Sequence, residues 1–276
     1  ISGTPTQGEV LTAANDLADA DGLGSIGYQW KRTGTAITGA TASTYSLVQA
    51  DVGSVITVTV SYTDGQDTAE SLTSMATSTV VDATAPAAPS ALDLVAASDS
   101  GLSEIDNFTN NTSPRFIGRA EANSSVELFA DSLLLGGATA NGLSEWIFTI
   151  PNTSAFTDGS YAITATATDS AGNTSAASAV LDLSIDTTAP AFTSANSVAS
   201  IAKTSGSNSL IYKAVATDAS SLRYGFKADN NDDAALFSID SITGEVSLTE
   251  AVDDGIKNSY HFVVTAIDNA GNRSEH

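Results

Sequence analysis

Apolar and polar residues alternate along this chain in short runs. In residues 54–62, Ile56, Val58, Val60 and Tyr62 fall on one side and Val55, Thr57, Thr59 and Ser61 on the other, the period-two signature of a strand with one buried face. The same reading predicts strands over residues 9–12, 25–31, 43–47, 54–62 and 72–81, then 92–97, 115–119, 125–129, 145–150, 161–168 and 179–185. A third group covers residues 210–217, 222–227, 236–239, 245–248 and 260–267. No window keeps apolar residues at the i, i+3, i+4 spacing for three turns, so the chain is expected to be all-β.

Two markers recur at domain-sized intervals. The turn Asp169-Ser170-Ala171-Gly172-Asn173 follows one alternating strand, and Asp268-Asn269-Ala270-Gly271-Asn272 follows another about 100 residues later. The run Asp82-Ala83-Thr84-Ala85-Pro86 returns at a similar interval as Asp186-Thr187-Thr188-Ala189-Pro190. Together they divide the chain into three tandem β-sandwiches in an elongated row, residues 1–82, 83–186 and 187–276. The last module stops just after its strand-end turn, so it is expected to be cut before its final strand, with an uncovered edge there.

Composition narrows the partners. The 276 residues include no cysteine and carry a formal charge of −22, with charged residues at 15% of the chain, below the usual ~25%. Sparse but one-sided negative charge argues against a nucleic-acid or anionic-membrane surface. No apolar run approaches the ~20 residues of a membrane helix. A start at Ile1 without a signal peptide reads as a piece of a longer protein. The absence of cysteine does not fix the redox compartment, since a metal-stiffened module needs no disulfide.

Strand alternation assigns each acidic loop to one end of its sandwich. At the entering end of the second module it groups Asp82, Glu121 and Asp169, with Asn173 in the same turn. The third module groups Asp186, Asp218 and Asp268, with Asn272. In the first, an early loop offers Asp16, Asp19 and Asp21 and a late loop Asp64, Asp67 and Glu70. The loop at 98–112, with Asp99, Asp106 and Asn110, lies at the exit end of the middle module and is expected, with Asp158, to face the Asp186 junction. Asp, Asn and Gly are what any tight turn uses. They are also what Ca2+ uses, because it takes six to eight oxygen ligands, and unit charges ~4 Å apart otherwise repel by about 4 kcal/mol at an effective dielectric near 20. Repetition at successive junctions favours calcium.

Several motifs resemble known families. Tyr28-Gln29-Trp30 followed by Gln49-Ala50-Asp51-Val52-Gly53 resembles an immunoglobulin-like sandwich. Asp99-Ser100-Gly101, Asp106-Asn107-Phe108-Thr109 and Gly118-Arg119-Ala120-Glu121, leading to the Asp169 turn, resemble the bacterial immunoglobulin-like repeats of giant surface adhesins. Phe237-Ser238-Ile239-Asp240, Thr243-Gly244-Glu245-Val246 and Ala266-Ile267-Asp268 are similar to a cadherin-type repeat, and the Asp186 linker to the linker between such repeats. The third module departs from cadherins in carrying Val252-Asp253-Asp254-Gly255 where they place an Asp-Arg-Glu motif. The first module, with Asp19-Ala20-Asp21-Gly22, is similar to a repeat of secreted RTX-type bacterial adhesins. This resemblance implies calcium-stiffened extender modules on a bacterial cell surface, non-catalytic and monomeric, with neighbouring modules as contacts and a ligand at a distal tip.

Catalytic signals are weak. The histidines are His261, in a predicted strand, and His276, at the last position. The run at 229–233 reads as a metal loop or a solvated hairpin, and Trp30 and Trp146 as core residues or a sugar-binding face. Recurrent Asn-x-Ser/Thr triplets follow from composition. The functional expectation is a spacer; the alternative is that one module is itself a carbohydrate- or protein-recognition domain.

Overall fold

A computed structural model of the chain describes residues 1–20, 22–196, 205–227, 233–251 and 259–276. It is all-β, built as tandem β-sandwich domains, and the helical elements among the described residues are short 3-10 turns. No helix among these residues is long and apolar enough to cross a membrane. The residues separate into two compact units, Ile1–Ala87 with Ala167–Ala176, and Ala88–Thr166 with Ala177–His276.

The first unit contains β1 (Val10–Thr12), β2 (Gly27–Arg32), β3 (Thr35–Ala36), β4 (Thr44–Ser46), β5 (Ile56–Thr63) and β6 (Ala69–Thr73). A sheet ordered β3-β2-β5-β6 faces the pair β1-β4. Alternation in β5 buries Ile56, Val58 and Val60, and Ile56 and Val58 pack with Leu11, Trp30, Leu47 and Val80 into one core. Trp30 is fully buried, stacks on Tyr45 and donates Nε1–H to Ala42 O at 2.9 Å, as a core tryptophan requires. The corner at Asp51 is buried too. Its carboxylate accepts from Arg32, the Tyr45 hydroxyl and the Val48 N–H at 2.7–2.9 Å; the Asp51 hydrogen bond raises the pKa of Arg32, and burial first, then Asp51, raises that of Tyr45.

The strand expected over 72–81 does not run through. After β6, Ser74 Oγ and Thr77 Oγ1 accept the N–H groups of Val58 and Ile56 at 3.1 and 3.0 Å. Hydroxyls replace half of the ladder, the carbonyls of Val58 and Ile56 still accepting the N–H groups of Ser74 and Thr77 at 2.9 and 3.0 Å, and Val80 and Val81 pair elsewhere through isolated parallel bridges.

The second unit begins with β7 (Ser90–Leu94), β8 (Phe108–Thr109), β9 (Arg115–Arg119), β10 (Ser125–Ala130), β11 (Leu133–Thr139), β12 (Glu145–Thr149), β13 (Gly159–Thr168, its last two residues in the first unit) and β14 (Leu181–Ile185). Sheets ordered β11-β10-β13-β14-β8 and β12-β9-β7 enclose Phe116, Leu128, Trp146, Ile163 and Leu183. Burial of Trp30 and of Trp146, at 4% exposure, assigns both to the core. Strand β11 is not singled out by alternation, because its Leu133 and Leu134 are exposed and Gly136 and Gly137 carry no side chain.

The remaining strands are β15 (Ala191–Phe192), β16 (Leu210–Lys213), β17 (Ala216–Thr217), β18 (Arg223–Phe226), β19 (Phe237–Ile239), β20 (Glu245–Leu248), β21 (Val264–Ile267) and β22 (Arg273–Glu275). Ala214, Phe237, Val246, Leu248 and Val264 form their core. The strand expected over 260–267 begins only at Val264, and His261 is exposed, its N–H on Asp233 Oδ2 at 2.8 Å. Residues after the Asp268 turn were not expected to form a strand, yet β22 pairs antiparallel with β21.

Candidate metal centre

The repeated turn has one architecture in both places. In the second unit, Asp268 Oδ1 accepts the Asn272 N–H at 2.8 Å and Oδ2 accepts Asn272 Nδ2 at 2.8 Å. The same Nδ2 reaches the linker carbonyl of Asp186 at 2.8 Å. In the first unit, Asp169 receives Asn173 N–H and Nδ2 at 2.9 and 2.8 Å, and that Nδ2 reaches Asp82 O at 3.3 Å. Gly172 and Gly271 sit at φ of 93° and 91°, which glycine adopts without steric cost and which closes the turn tightly enough for Asn to reach back to Asp. Each linker aspartate makes its own turn as well, Asp82 Oδ1 accepting the Thr84 N–H and Asp186 Oδ1 the Thr188 N–H, both at 3.0 Å.

Beside the second copy, Asp186, Asp218 and Asp268 each place a carboxylate oxygen within 4.8 Å of the others. Asp268 is fully buried and the other two are half-buried. Asp218 Oδ1 is held by the Ser220 N–H and hydroxyl at 2.9 and 3.0 Å, and Ser220 Oγ in turn accepts the Asn269 N–H. Burial, and then the charges of Asp218, Asp268 and Asp158, push the Asp186 carboxyl above its ordinary value. At such separations each pair of charges repels by about 3–4 kcal/mol at an effective dielectric near 20. No Lys or Arg forms an ion pair with any of the three among the described residues. An all-oxygen, triply anionic donor set without an internal counter-charge fits a hard divalent cation such as calcium.

The other expected ligands divide by location. Asp82, Asp169 and Asn173 come together in the first unit, whereas Glu121 stands on an exposed turn of the second. Asn272 spends Nδ2 on Asp268 and the linker, and its Oδ1 accepts from Asn110 Nδ2 at 3.2 Å. Asp19 accepts the Tyr62 hydroxyl at 3.2 Å, while Asp64 Oδ1 accepts the N–H groups of Gln66 and Thr68 at 2.9 and 2.8 Å, and burial first, then the charges of Glu70, Asp19 and Asp64, raise the Tyr62 pKa. Asp99 is buried, its Oδ2 accepting the Asn107 N–H at 3.2 Å, and Asp106 is exposed, its Oδ1 accepting the Phe108 N–H at 3.2 Å. Asp21, residues 229–232 and residues 252–255 lie outside the described residues.

Further residues complete the junction, among them Asp158, which the sequence already places there. Ser100 Oγ donates to Ala270 O at 2.7 Å, and Gly101 packs so closely that a Cβ there would stand 2.0 Å from Asn269 O. Asp158 accepts from the Thr187 N–H and from the hydroxyls of Thr187 and Thr188 at 2.8–3.0 Å, which lowers its pKa. Ser100 and Gly101 stand in the sequence only as part of a family-like motif, so their contacts with the turn at Ala270 come from the tertiary structure alone.

Residues 84–187 match a family model described as Bacterial Ig-like domain. No curated protein matches the chain. Among solved structures, Drosophila N-cadherin EC1-4 aligns at 17% identity over 96% of this chain and 67% of that one, with a TM-score of 0.30. Mouse clustered PcdhgC3 EC1-3 aligns at 14% identity over 90% and 86%, with a TM-score of 0.37. Fibronectin(III)-like modules of Clostridium thermocellum CbhA align at 12% identity over 65% and 87%, with a TM-score of 0.28. Scores this low carry no functional argument.

Proposed function

We propose that this chain is a non-catalytic, calcium-stiffened extender segment of a bacterial cell-surface adhesin of the RTX type, holding a distal binding region away from the cell. The observation that carries the reading is the Asp186, Asp218 and Asp268 cluster, which joins a linker to two loops of the module that follows it. The match of residues 84–187 to a bacterial Ig-like domain supports it, since Ig-like domains are typically extracellular and structural. In this role Asp218 and Asp268 gather the linker carboxylate, Asn272 fixes the linker carbonyl, and Ser100 and Asn110 brace the preceding module against the same turn. Bound calcium would supply the charge that lets the three carboxylates stay ionised together.

The chain has no cysteine, so spin labels can be placed at will. With labels at Glu127→Cys and Ser238→Cys, both exposed strand positions, pulsed electron resonance should give one narrow distance distribution in calcium and a broad one in EGTA. Adding Asp186→Ala should make the calcium sample as broad as the chelated one. Equal widths with and without calcium in the parent chain would overturn the reading.

A further inference from the structure

A groove of about 610 Å3 opens on the middle sandwich at the sheet ordered β12-β9-β7, within the ~300–1,000 Å3 of small-molecule sites. The strands make its floor. Ile117 of β9 and Ile147 of β12 stand opposite each other in the ladder and face outward, 37% and 47% exposed, because Phe116, Gly118 and Trp146 take the buried side. Beside them β7 carries one extra residue against β9 between Ser90 and Asp93, and Ala91 sits there at φ 50°, a left-handed backbone that strains a non-glycine residue. Trp146 also lines the groove. Its indole is laid against Gly118, where a Cβ would stand 2.5 Å from the ring, and its Nε1–H is closed off from solvent and has no acceptor. A strained bulge and an orphaned donor beside one groove are features that packing alone does not account for.

The rim supplies hydrogen-bonding groups of both kinds. Arg119 Nη2 donates to Glu145 Oε1 at 3.0 Å across the ladder, which leaves Arg119 Nε and Nη1 and Glu145 Oε2 unbonded. Asn141 Oδ1 accepts the N–H groups of Leu143 and Glu145 at 2.8 and 3.0 Å, so the turn holds this side chain in place with its Nδ2 unbonded. Thr139 Oγ1 makes no bond among the described residues. We propose that this groove binds a neutral carbohydrate. Three features select that ligand. The charges lining the groove, Arg119 and Glu145, are opposed and bonded to each other, so an ion gains no net attraction, and a chain of charge −22 repels anions besides. A purely apolar ligand would cover the two isoleucines but strip water from the four polar side chains without replacing it. A sugar ring answers both, since its hydroxyls donate and accept while its C–H face covers Ile117 and Ile147. No member of the Asp186 cluster lines the groove, so the inference does not rest on the linker reading.

Probing an array of neutral and acidic glycans with the whole chain in EGTA, then titrating a retained sugar by calorimetry, tests it. Working without calcium keeps the outcome separate from that of the linker reading. Binding should be saturable. Thr139→Val and Asn141→Asp alter exposed residues, the second keeping the oxygen that the turn needs. Each should weaken binding about tenfold and leave the melting temperature unchanged. With nitrogen-15 in the indoles, the Trp146 Nε1–H resonance should move as sugar is added, while that of Trp30, bonded to Ala42 O, should stay. Silence across the array, retention of sialylated or sulfated glycans alone, or an affinity equal to the parent's in both variants overturns the proposal. So does a dimer in sedimentation that Ile147→Asp abolishes, which would give the groove to a second copy of the chain.

Discussion

Asn272 satisfies two acceptors with one amide nitrogen, the Asp268 carboxylate and the Asp186 carbonyl. Asn272→Ala should therefore cost about 2 kcal/mol in calorimetry, because hydrogen bonds to charged groups are worth more than neutral ones. The loss should appear in calcium and in EGTA alike, since these contacts need no metal. A loss confined to calcium would make Asn272 a ligand rather than a clasp. Asp186 predicts a pH dependence of unusual sign. Its carboxyl is held above the ordinary 3.8 by burial first and by Asp218, Asp268 and Asp158 after that. An acid with a raised folded pKa contributes stability that is full below its unfolded value and lost as pH rises through the folded one. In EGTA the melting temperature should thus rise as pH falls through the raised folded value toward the ordinary 3.8, and Asp186→Asn should flatten the slope. Asp158, Asp169 and Asp240 do not mask this. Hydrogen bonds hold them below 3.8, and their contribution fades only at pH below that window.

At the scale of elements, side-chain hydroxyls take over part of the ladder after β6 and after the Asp169 turn, whereas β22 follows the Asp268 turn as a paired strand. Ser175 and Ser178 accept the N–H groups of Ala167 and Ala165 at 2.9 and 3.0 Å, repeating what Ser74 and Thr77 do for Val58 and Ile56. The strand expected from residue 179 accordingly starts at Leu181, after the side-chain ladder ends. Ala165 is fully buried, so Ser178→Ala leaves its N–H without an acceptor and should destabilise by about 1–2 kcal/mol. Ser178→Thr keeps the hydroxyl and should restore most of that loss in denaturant titration. Alternation marks strands by the faces they bury, so it found β5, β9 and β20 closely and overlooked β11, whose leucines face outward.

For the molecule as a whole, the proposed calcium dependence would belong to the linker junction, and the narrow and broad distance distributions above would be its readout. Much of this organisation was legible in the chain. Period-two alternation established an all-β fold because a strand's side chains face opposite ways in turn, and the recurring Asp-x-x-Gly-Asn and Asp-x-x-x-Pro runs marked the turns and linkers because those backbone shapes demand those residues. Sequence also grouped Asp186, Asp218 and Asp268, since successive turns fall at opposite ends of a sandwich. Tertiary structure alone decided that Asn272 clasps the linker, that Gly101 must lack a side chain, and that Asp99 Oδ1 and Asn107 Oδ1 are left without donors. The reason is physical: residue type states which bonds a side chain can make, but whether water or another loop meets them depends on what the fold brings alongside.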